Sequence, residues 1–333
     1  MTPARAPRAS PLSERLLHID PGGAFAARSI AELPELFRAG DLLVVNDAAT
    51  LPASFRLRDR DAELRLVGGG GRDETWRALL FGAGDWRTPT ERRPEPDPVR
   101  VGERLELGEL SAVVTAVDAR SPRLIDVRFS LSGARLWQAL YRLGRPIQYS
   151  YLTAPLELWD VQNVFAARPW AFELPSAARP LNFELLLALR KRGVTLATLT
   201  HSAGISSTGS SELDARLPLP ERYEIPKATV AKVAAAGRVV AAGTTVVRAL
   251  EANFAAHGGL RPGLGEARLV IGPGFVPKVV HGILTGMHEQ GTSHFALLGA
   301  FASRELIGRA LSHAAELGYL EHEFGDSCLI LGR

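Results

Sequence analysis

Apolar positions follow two rhythms along the chain, and the change between them divides it. From about residue 53 to 130 the apolar runs are short and strand-like, at 53–67, 75–81, 104–107, 112–117 and 124–129. Glycine and proline turns separate them, including the run Gly68 to Gly71 and a proline-rich, charged segment at 88–98. Short strands at close spacing with such turns predict a small barrel or sandwich. The glycine run lacks the Lys-Ser/Thr ending and the following helix of a phosphate loop, so it reads as a flexible hairpin loop. Segment 88–98 reads as a solvated excursion.

Outside that stretch the rhythm alternates between helix and strand. A short helix and a buried strand fill 32–47, the strand being Asp41 to Asp47. Helices are predicted at 133–143, capped by Ser132 and ended by Gly144, and at 181–191, ended by Gly193. Further helices are expected at 227–236, 244–255, 295–302 and 305–317, with strands at 194–200, 238–242 and 328–331. This alternation predicts an α/β fold with a mixed sheet, to which the early strand at 41–47 also belongs. The expected organisation is a discontinuous α/β domain (1–52 and 131–333) carrying an inserted β-barrel domain (53–130).

The run from Arg238 to Glu251 is locally the most informative. An apolar strand breaks at Gly243 and passes through Thr244 and Thr245 into a helix. The first N–H groups of a helix lack internal partners, and the helix dipole adds partial positive charge there. Arg248, one turn in, adds a planar cation. The same pattern also fits an ordinary strand-to-helix turn with a threonine cap.

Composition narrows the class. With 333 residues, 46% of them hydrophobic, the chain is long enough for two domains and a sizeable core. A net charge of +3 permits contact with nucleic acid without demanding it. The single cysteine, Cys328, excludes an internal disulfide and a multi-cysteine zinc site, and its apolar surroundings predict a buried thiol. No apolar run approaches a membrane span, and the N-terminal residues lack the apolar core of a secretory signal. A cytoplasmic protein is expected, monomeric, with its first dozen residues as a loose arm.

Seven segments then carry a resemblance. They are Asp41-Leu-Leu-Val-Val-Asn-Asp47 with Leu51-Pro-Ala53; Gly144-Arg-Pro-Ile147 with Tyr151-Leu152; and Val161-Gln-Asn-Val-Phe-Ala166 with Arg168-Pro169. Next come Pro175-Ser-Ala177 with Leu181-Asn-Phe183, and Arg238 to Arg248 with Leu250-Glu251. The last two are Leu284-Thr285 with His288, Thr292-Ser293 and Phe301, and Phe324-Gly-Asp326 with Leu329-Ile330. In this order they resemble the S-adenosylmethionine:tRNA ribosyltransferase-isomerase family of queuosine biosynthesis, from about residue 20 to 331. The family fold, an α/β domain with an inserted β-barrel, agrees with the pattern reading.

The chain departs from the family at several points. Asn182 stands where the family has histidine, and 200–207 alters a glycine-rich turn. Leu217-Pro-Leu-Pro220 replaces histidines ahead of Glu221, and the segments 284–290 around Met287 and 319–326 are changed. The resemblance therefore implies retained handling of S-adenosylmethionine as co-substrate, with the acceptor open. That acceptor is either a 7-aminomethyl-7-deazaguanine base in tRNA or a small deazapurine-like molecule. A non-catalytic ligand- or RNA-binding relative is the third reading.

The implied reaction moves the ribosyl group of S-adenosylmethionine to the acceptor and isomerises it to an epoxycyclopentane, with loss of adenine and methionine. No metal or redox cofactor is implied. A base must remove a proton beside the sulfonium, and other groups must assist adenine departure and hold ribose hydroxyls. The resemblance and the strand ends nominate His288, His201, Glu221 and Asp326 as catalytic candidates, with Glu221 equally readable as a partner for Arg248 and Asp326 as a turn-stabilising residue. Asn46, Asp47, Gly243, Thr244, Thr245 and Arg248 are candidates for substrate binding, Arg248 through a bidentate contact with the methionine carboxylate. Glu289 has no family counterpart. Trp170, Phe172 and Phe275 are candidates for stacking on adenine, with core packing as the plainer role. For tRNA, Arg56, Arg58 and Arg60 have the spacing of one strand face, beside Arg87, Arg92, Arg93 and Arg190-Lys-Arg192.

Overall fold

The computed structural model describes residues 1–20, 22–69 and 75–332. A nine-stranded mixed sheet forms its centre. Across the sheet the strands run Gly263–Ala267, Glu221–Ile225, Thr195–His201, Asp41–Asn46, Arg238–Ala242, Gly282–Gly286, Ser327–Leu331, Arg15–Ile19 and Phe25–Ser29. The four strands Thr195–His201, Asp41–Asn46, Arg238–Ala242 and Gly282–Gly286 are parallel, so their C-terminal ends share one edge. Asp41–Asn46 is buried throughout, because both faces of the sheet are covered. Leu42 and Val44 pack into one core with Val246 and Leu250 of the helix Thr244–His257, and with Ile307 and Ala310 of Arg304–Glu316. Leu43 and Val45 alternate to the other face, against Leu33 of the 3₁₀ helix Ile30–Leu36 and Leu185 and Leu189 of the helix Phe183–Lys191. The early strand thus lies in the centre of the large sheet, as its sequence predicts.

Between the strand Ala48–Thr50 and the helix Gly133–Leu143 lies a six-stranded antiparallel sheet. Its order is Ser54–Arg56, Glu63–Gly69, Thr75–Phe81, Leu124–Phe129, Ser111–Val117 and Arg104–Glu106. Its two edges approach where Arg58 N–H donates to Glu106 O at 2.8 Å. Leu136, Ala139 and Leu140 of the helix close its apolar interior. Gly144 ends that helix where a Cβ would collide with the Pro52 carbonyl oxygen. Ser132 occupies the N-cap position without the expected side-chain bond.

Several expectations change. The run 53–67 is two strands, not one, and only Arg56 of the arginine triplet lies on a strand. Arg56 pairs with Asp61, and Arg60 with Asp59 and Glu103, so the triplet does not form one basic face. Segment 88–98 is tied down: Thr90 and Arg93 are buried, and Arg93 binds Glu63 at 2.6 Å and the Gly82 carbonyl at 2.7 Å. Gly68 and Gly69 end a strand, whereas Gly70 and Gly71 lie outside the described residues. The first dozen residues are docked, not loose. Thr2–Pro3 pairs with Leu320–Glu321, and Arg8 reaches Asp326 at 2.7 Å. Cys328 is buried and its thiol is pushed up to about 12 by that burial. Among the described residues no helix is long and apolar enough to cross a membrane.

Candidate active site

At the shared C-terminal edge of the parallel strands lies a cavity of about 310 Å³. Open α/β sheets bind ligands at this edge because the loops and helix N-termini that follow the strands gather there. Ala242, Gly243, Thr244 and Thr245 form part of its lining. Gly243 takes φ 100 and ψ 155, a backbone that a side chain strains, and a Cβ there would meet the Ala177 Cβ at 3.3 Å. Gly243, not a threonine, is therefore the N-cap of the helix Thr244–His257. Its N–H is held by the Leu284 carbonyl at 2.8 Å, and the helix opens directly onto the cavity. The positive end of the helix dipole suits an anionic group of a ligand. Further along, Glu251 is buried and accepts from the N–H groups of Lys278, Val279 and Val280, each at 2.9 Å. It fixes the approach to the strand Gly282–Gly286.

Glu221 and Arg248 come together in the cavity lining. Arg248 Nη1 donates to Glu221 Oε2, while Glu221 Oε1 accepts from Gly204 N–H at 2.5 Å. Arg248 Nη2 binds the Ala267 and Leu219 carbonyls at 3.0 and 3.3 Å. Burial lowers the guanidinium to about 10, so it stays charged near neutrality. Its fork is engaged within the protein by the Glu221 carboxylate and the two carbonyls. His201 is fully buried, with Nε2 3.6 Å from Glu221 Oε2 and neither ring nitrogen hydrogen-bonded. Burial, then the charge of Arg248, hold it well below its ordinary value, so the ring is neutral. It lies behind Glu221 and outside the cavity lining.

His288 does line the cavity. Its Nε2 lies 2.6 Å from Thr285 Oγ1, and its ring centre lies 5.2 Å from that of His294. Burial, then His294 and His322, lower His288 to about 3; burial and Arg248 lower His294 to about 4. Both are neutral rings near pH 7, suited to hydrogen bonding more than to taking a proton.

A second part of the lining is aromatic and acidic, and sequence reasoning missed it. Tyr149 and Tyr151 stack at 6.0 Å, and Tyr151 stacks on His322 at 4.3 Å. Tyr149 donates to Glu173, and Tyr151 to Glu323. Ser206 Oγ adds a bond to Glu173 at 2.5 Å, and Ser206 N–H another at 3.3 Å. Burial lifts Glu173 to about 7 against these donors, with Glu323 adding a smaller upward push. Tyr151 lay within a matched motif, but no spacing linked Glu173 or His322 to it.

Other candidates lie elsewhere. Asn46 is fully buried and spans two elements: its amide donates to His201 O and its Oδ1 accepts from His201 N–H, both at 2.9 Å. Asp47 accepts from Thr200 Oγ1 at 2.6 Å. Asp326 is buried and accepts from Arg8 at 2.7 Å, Arg15 N–H at 2.8 Å, Arg15 Nη2 at 2.9 Å and Leu320 N–H at 2.8 Å. None of the three lines the cavity, and both oxygens of Asp326 are engaged within the protein. Phe172 is buried in the core of the six-stranded sheet, Phe275 packs on the main core, and Trp170 lies under Arg222 at 4.0 Å. Asn182 caps the helix Phe183–Lys191 by accepting from Leu185 N–H.

Known proteins resemble this chain along nearly its whole length. The family model for the queuosine biosynthesis protein matches residues 2–330. S-adenosylmethionine:tRNA ribosyltransferase-isomerase of Acidithiobacillus ferrooxidans is 35% identical, over 98% of this chain and 94% of the relative. The protein of the same name from Thermosynechococcus vestitus is 34% identical, over 90% of this chain and 84% of the relative. The crystal structure of S-adenosylmethionine tRNA ribosyltransferase from Thermotoga maritima aligns with a TM-score of 0.54 at 25% identity, covering 99% of this chain and 96% of that one. With the family model spanning nearly every residue and the sheet-edge cavity in place, this chain belongs to the queuosine biosynthesis protein family.

Proposed function

We propose that this protein transfers the ribosyl portion of S-adenosylmethionine to a 7-aminomethyl-7-deazaguanine base in tRNA and isomerises it, giving epoxyqueuosine as adenine and methionine leave. Kinship to ribosyltransferase-isomerases over nearly the full chain is the observation that carries the reading. The cavity supports it, because it offers a helix N-terminus to an anion and an aromatic, acid-lined wall to a cation. S-adenosylmethionine carries both groups. In this reading Gly243, Thr244 and Thr245 receive the methionine carboxylate. Glu221 and Arg248 act by bracing that end of the site, and His288 and His294 bond ribose hydroxyls as neutral rings. Residues 53–130 act as an inserted barrel domain beside the catalytic α/β domain.

The test is adenine release from S-adenosylmethionine with precursor-modified tRNA, run beside free 7-aminomethyl-7-deazaguanine. Release with tRNA, and none with the free base, is expected. Release with the free base alone would move the acceptor to a small molecule. No release with either would sink the reading.

A further inference from the structure

Glu173 has the attributes of a base at the reacting carbon. It lies in the cavity at 9% exposure, in the turn that follows the strand Arg168–Ala171. Tyr149 OH and Ser206 N–H donate to Oε1 and Ser206 Oγ donates to Oε2, which leaves one lone pair of Oε2 for a ligand. The Tyr149–Tyr151–His322 stack sets π faces beside it, a surface that attracts a desolvated cation. Competing groups are engaged or unsuited. Glu221 is held by Arg248 and Gly204, Glu323 accepts from Tyr151, Glu289 is exposed to water, Asp326 lies outside the cavity, and His288 and His294 are too weakly basic.

We propose that Glu173 is the catalytic base that removes the proton from the ribose carbon beside the sulfonium, an assignment that rests on the ribosyl-transfer reading above. In this step the C–H bond breaks and its electron pair stays on carbon, stabilised by the adjacent sulfonium. The proton forms a new O–H bond on the Glu173 carboxylate. No oxidant or metal is required for that transfer. Tyr149 and Ser206 are positioning residues, since they hold the carboxylate without touching the reacting carbon.

The charged and titratable groups facing Glu173 set the pH response. Tyr149 and Ser206 donate to it, and Glu323 repels its charge across the Tyr151–His322 side. Arg65, paired with Glu63 at 2.6 Å, lies 5.7 Å from the Tyr149 ring centre. A base near 7 must lose its proton to act, so turnover is present above about pH 7 and falls as pH drops through it. Removing the Tyr149 hydroxyl takes a donor from the ionised form and moves that limb up. Removing the Glu323 charge takes away a like charge and moves it down.

The experiment measures adenine release against pH, with S-adenosylmethionine affinity by titration, for wild type and for Glu173→Gln, Tyr149→Phe and Glu323→Gln. Glu173→Gln is expected to slow release about 10²–10⁴-fold, a loss well beyond its fall in affinity. The acid limb is expected to move up in Tyr149→Phe and down in Glu323→Gln. Wild-type turnover with Glu173→Gln within about 3-fold of it would overturn the assignment and leave the function standing. So would limbs that stay in place in the other two variants, even if Glu173→Gln fails to fold. Absence of wild-type release with either acceptor would sink both.

Discussion

Arg248 donates to Glu221 in the cavity lining, and Glu221 passes the constraint on through its other oxygen to the Gly204 N–H. Three separate segments of chain meet in this one ion pair. Both side chains are at most 10% exposed. Removing one partner leaves a buried charge uncompensated, which typically costs about 3–5 kcal/mol. Arg248→Ala is expected to lower unfolding stability by that order in urea. Arg248→Lys is expected to fall between, because it keeps the charge but loses the fork that reaches the Ala267 and Leu219 carbonyls. A loss below about 1 kcal/mol in Arg248→Ala would show that the pair does not brace the site.

Gly243→Ala tests the turn itself. Its φ of 100 strains any side chain, and Ala177 stands 3.3 Å from the new Cβ. A residue forced into such a backbone costs on the order of 1–3 kcal/mol. The strain is relieved by moving the first turn of the helix, so S-adenosylmethionine affinity is expected to fall about 10-fold, roughly 1.4 kcal/mol. Calorimetric titration and thermal melting read the two effects separately. Unchanged affinity in a destabilised variant would remove the helix N-terminus from the binding site.

The legibility of the site divides along the same line. Arg238 to Arg248 could be read from sequence because strand, glycine and helix are contiguous, and local pattern fixes where the helix starts. The burial of Leu42 to Val45 was legible for the same reason. Asp326 reads in sequence as a ribose or amine contact or as a turn residue, and its partners could not be seen because Arg8 and Arg15 lie more than 300 residues away, Arg8 in a segment whose composition reads as a loose arm. Arg248 reads in sequence either as a partner for Glu221 or as a grip for a carboxylate, and the fold supplies the first of these contacts. Glu173 had no local signal at all. Its character comes from burial and from Tyr149 and Ser206, which the fold brings from two other loops.

The two cavity histidines give stability a pH dependence. Their folded values, about 3 for His288 and about 4 for His294, lie below the ordinary 6.5, so the fold favours the neutral rings. The unfolded chain takes up protons first as pH falls below 6.5. Their contribution is therefore complete above about 6.5 and is lost as pH falls from there toward 4. Glu173 works in the opposite sense: its rise from 4.5 to about 7 favours the protonated form, and its contribution is lost as pH rises through that window. Wild-type melting is thus a sum of opposing slopes, and comparison of variants separates them. His294→Gln is expected to gain in Tm relative to wild type as pH falls from 7.5 to 5. A difference that stays flat across that range would contradict the neutral assignment.

Asp326→Asn separates structure from binding. The carboxylate compensates two arginines and two backbone donors while fully buried. Its neutralisation is expected to cost about 3–5 kcal/mol in urea unfolding and to free the N-terminal segment for proteolysis near Arg8. Affinity for S-adenosylmethionine at a temperature where the variant is folded should match wild type within about 3-fold. A selective loss of affinity with intact stability would return Asp326 to the site.

The basic run Arg190-Lys-Arg192 offers a prediction about tRNA. All three residues are exposed at the C-terminal end of the helix Phe183–Lys191, and the chain passes from them straight into the strand Thr195–His201. That strand runs toward the cavity, so the basic run sits at the opposite edge of the sheet, about 20 Å away at the usual rise per residue. A tRNA base held in the cavity brings phosphates to the cavity edge, not to this one. Replacing the three residues by alanine is therefore expected to leave both kcat/KM for tRNA and its salt dependence unchanged. Were they phosphate contacts, the slope of log affinity against log salt would shrink by about 2–3. A shrinkage of that size, measured by tRNA binding from 50 to 200 mM salt, would place the RNA across the far edge of the sheet.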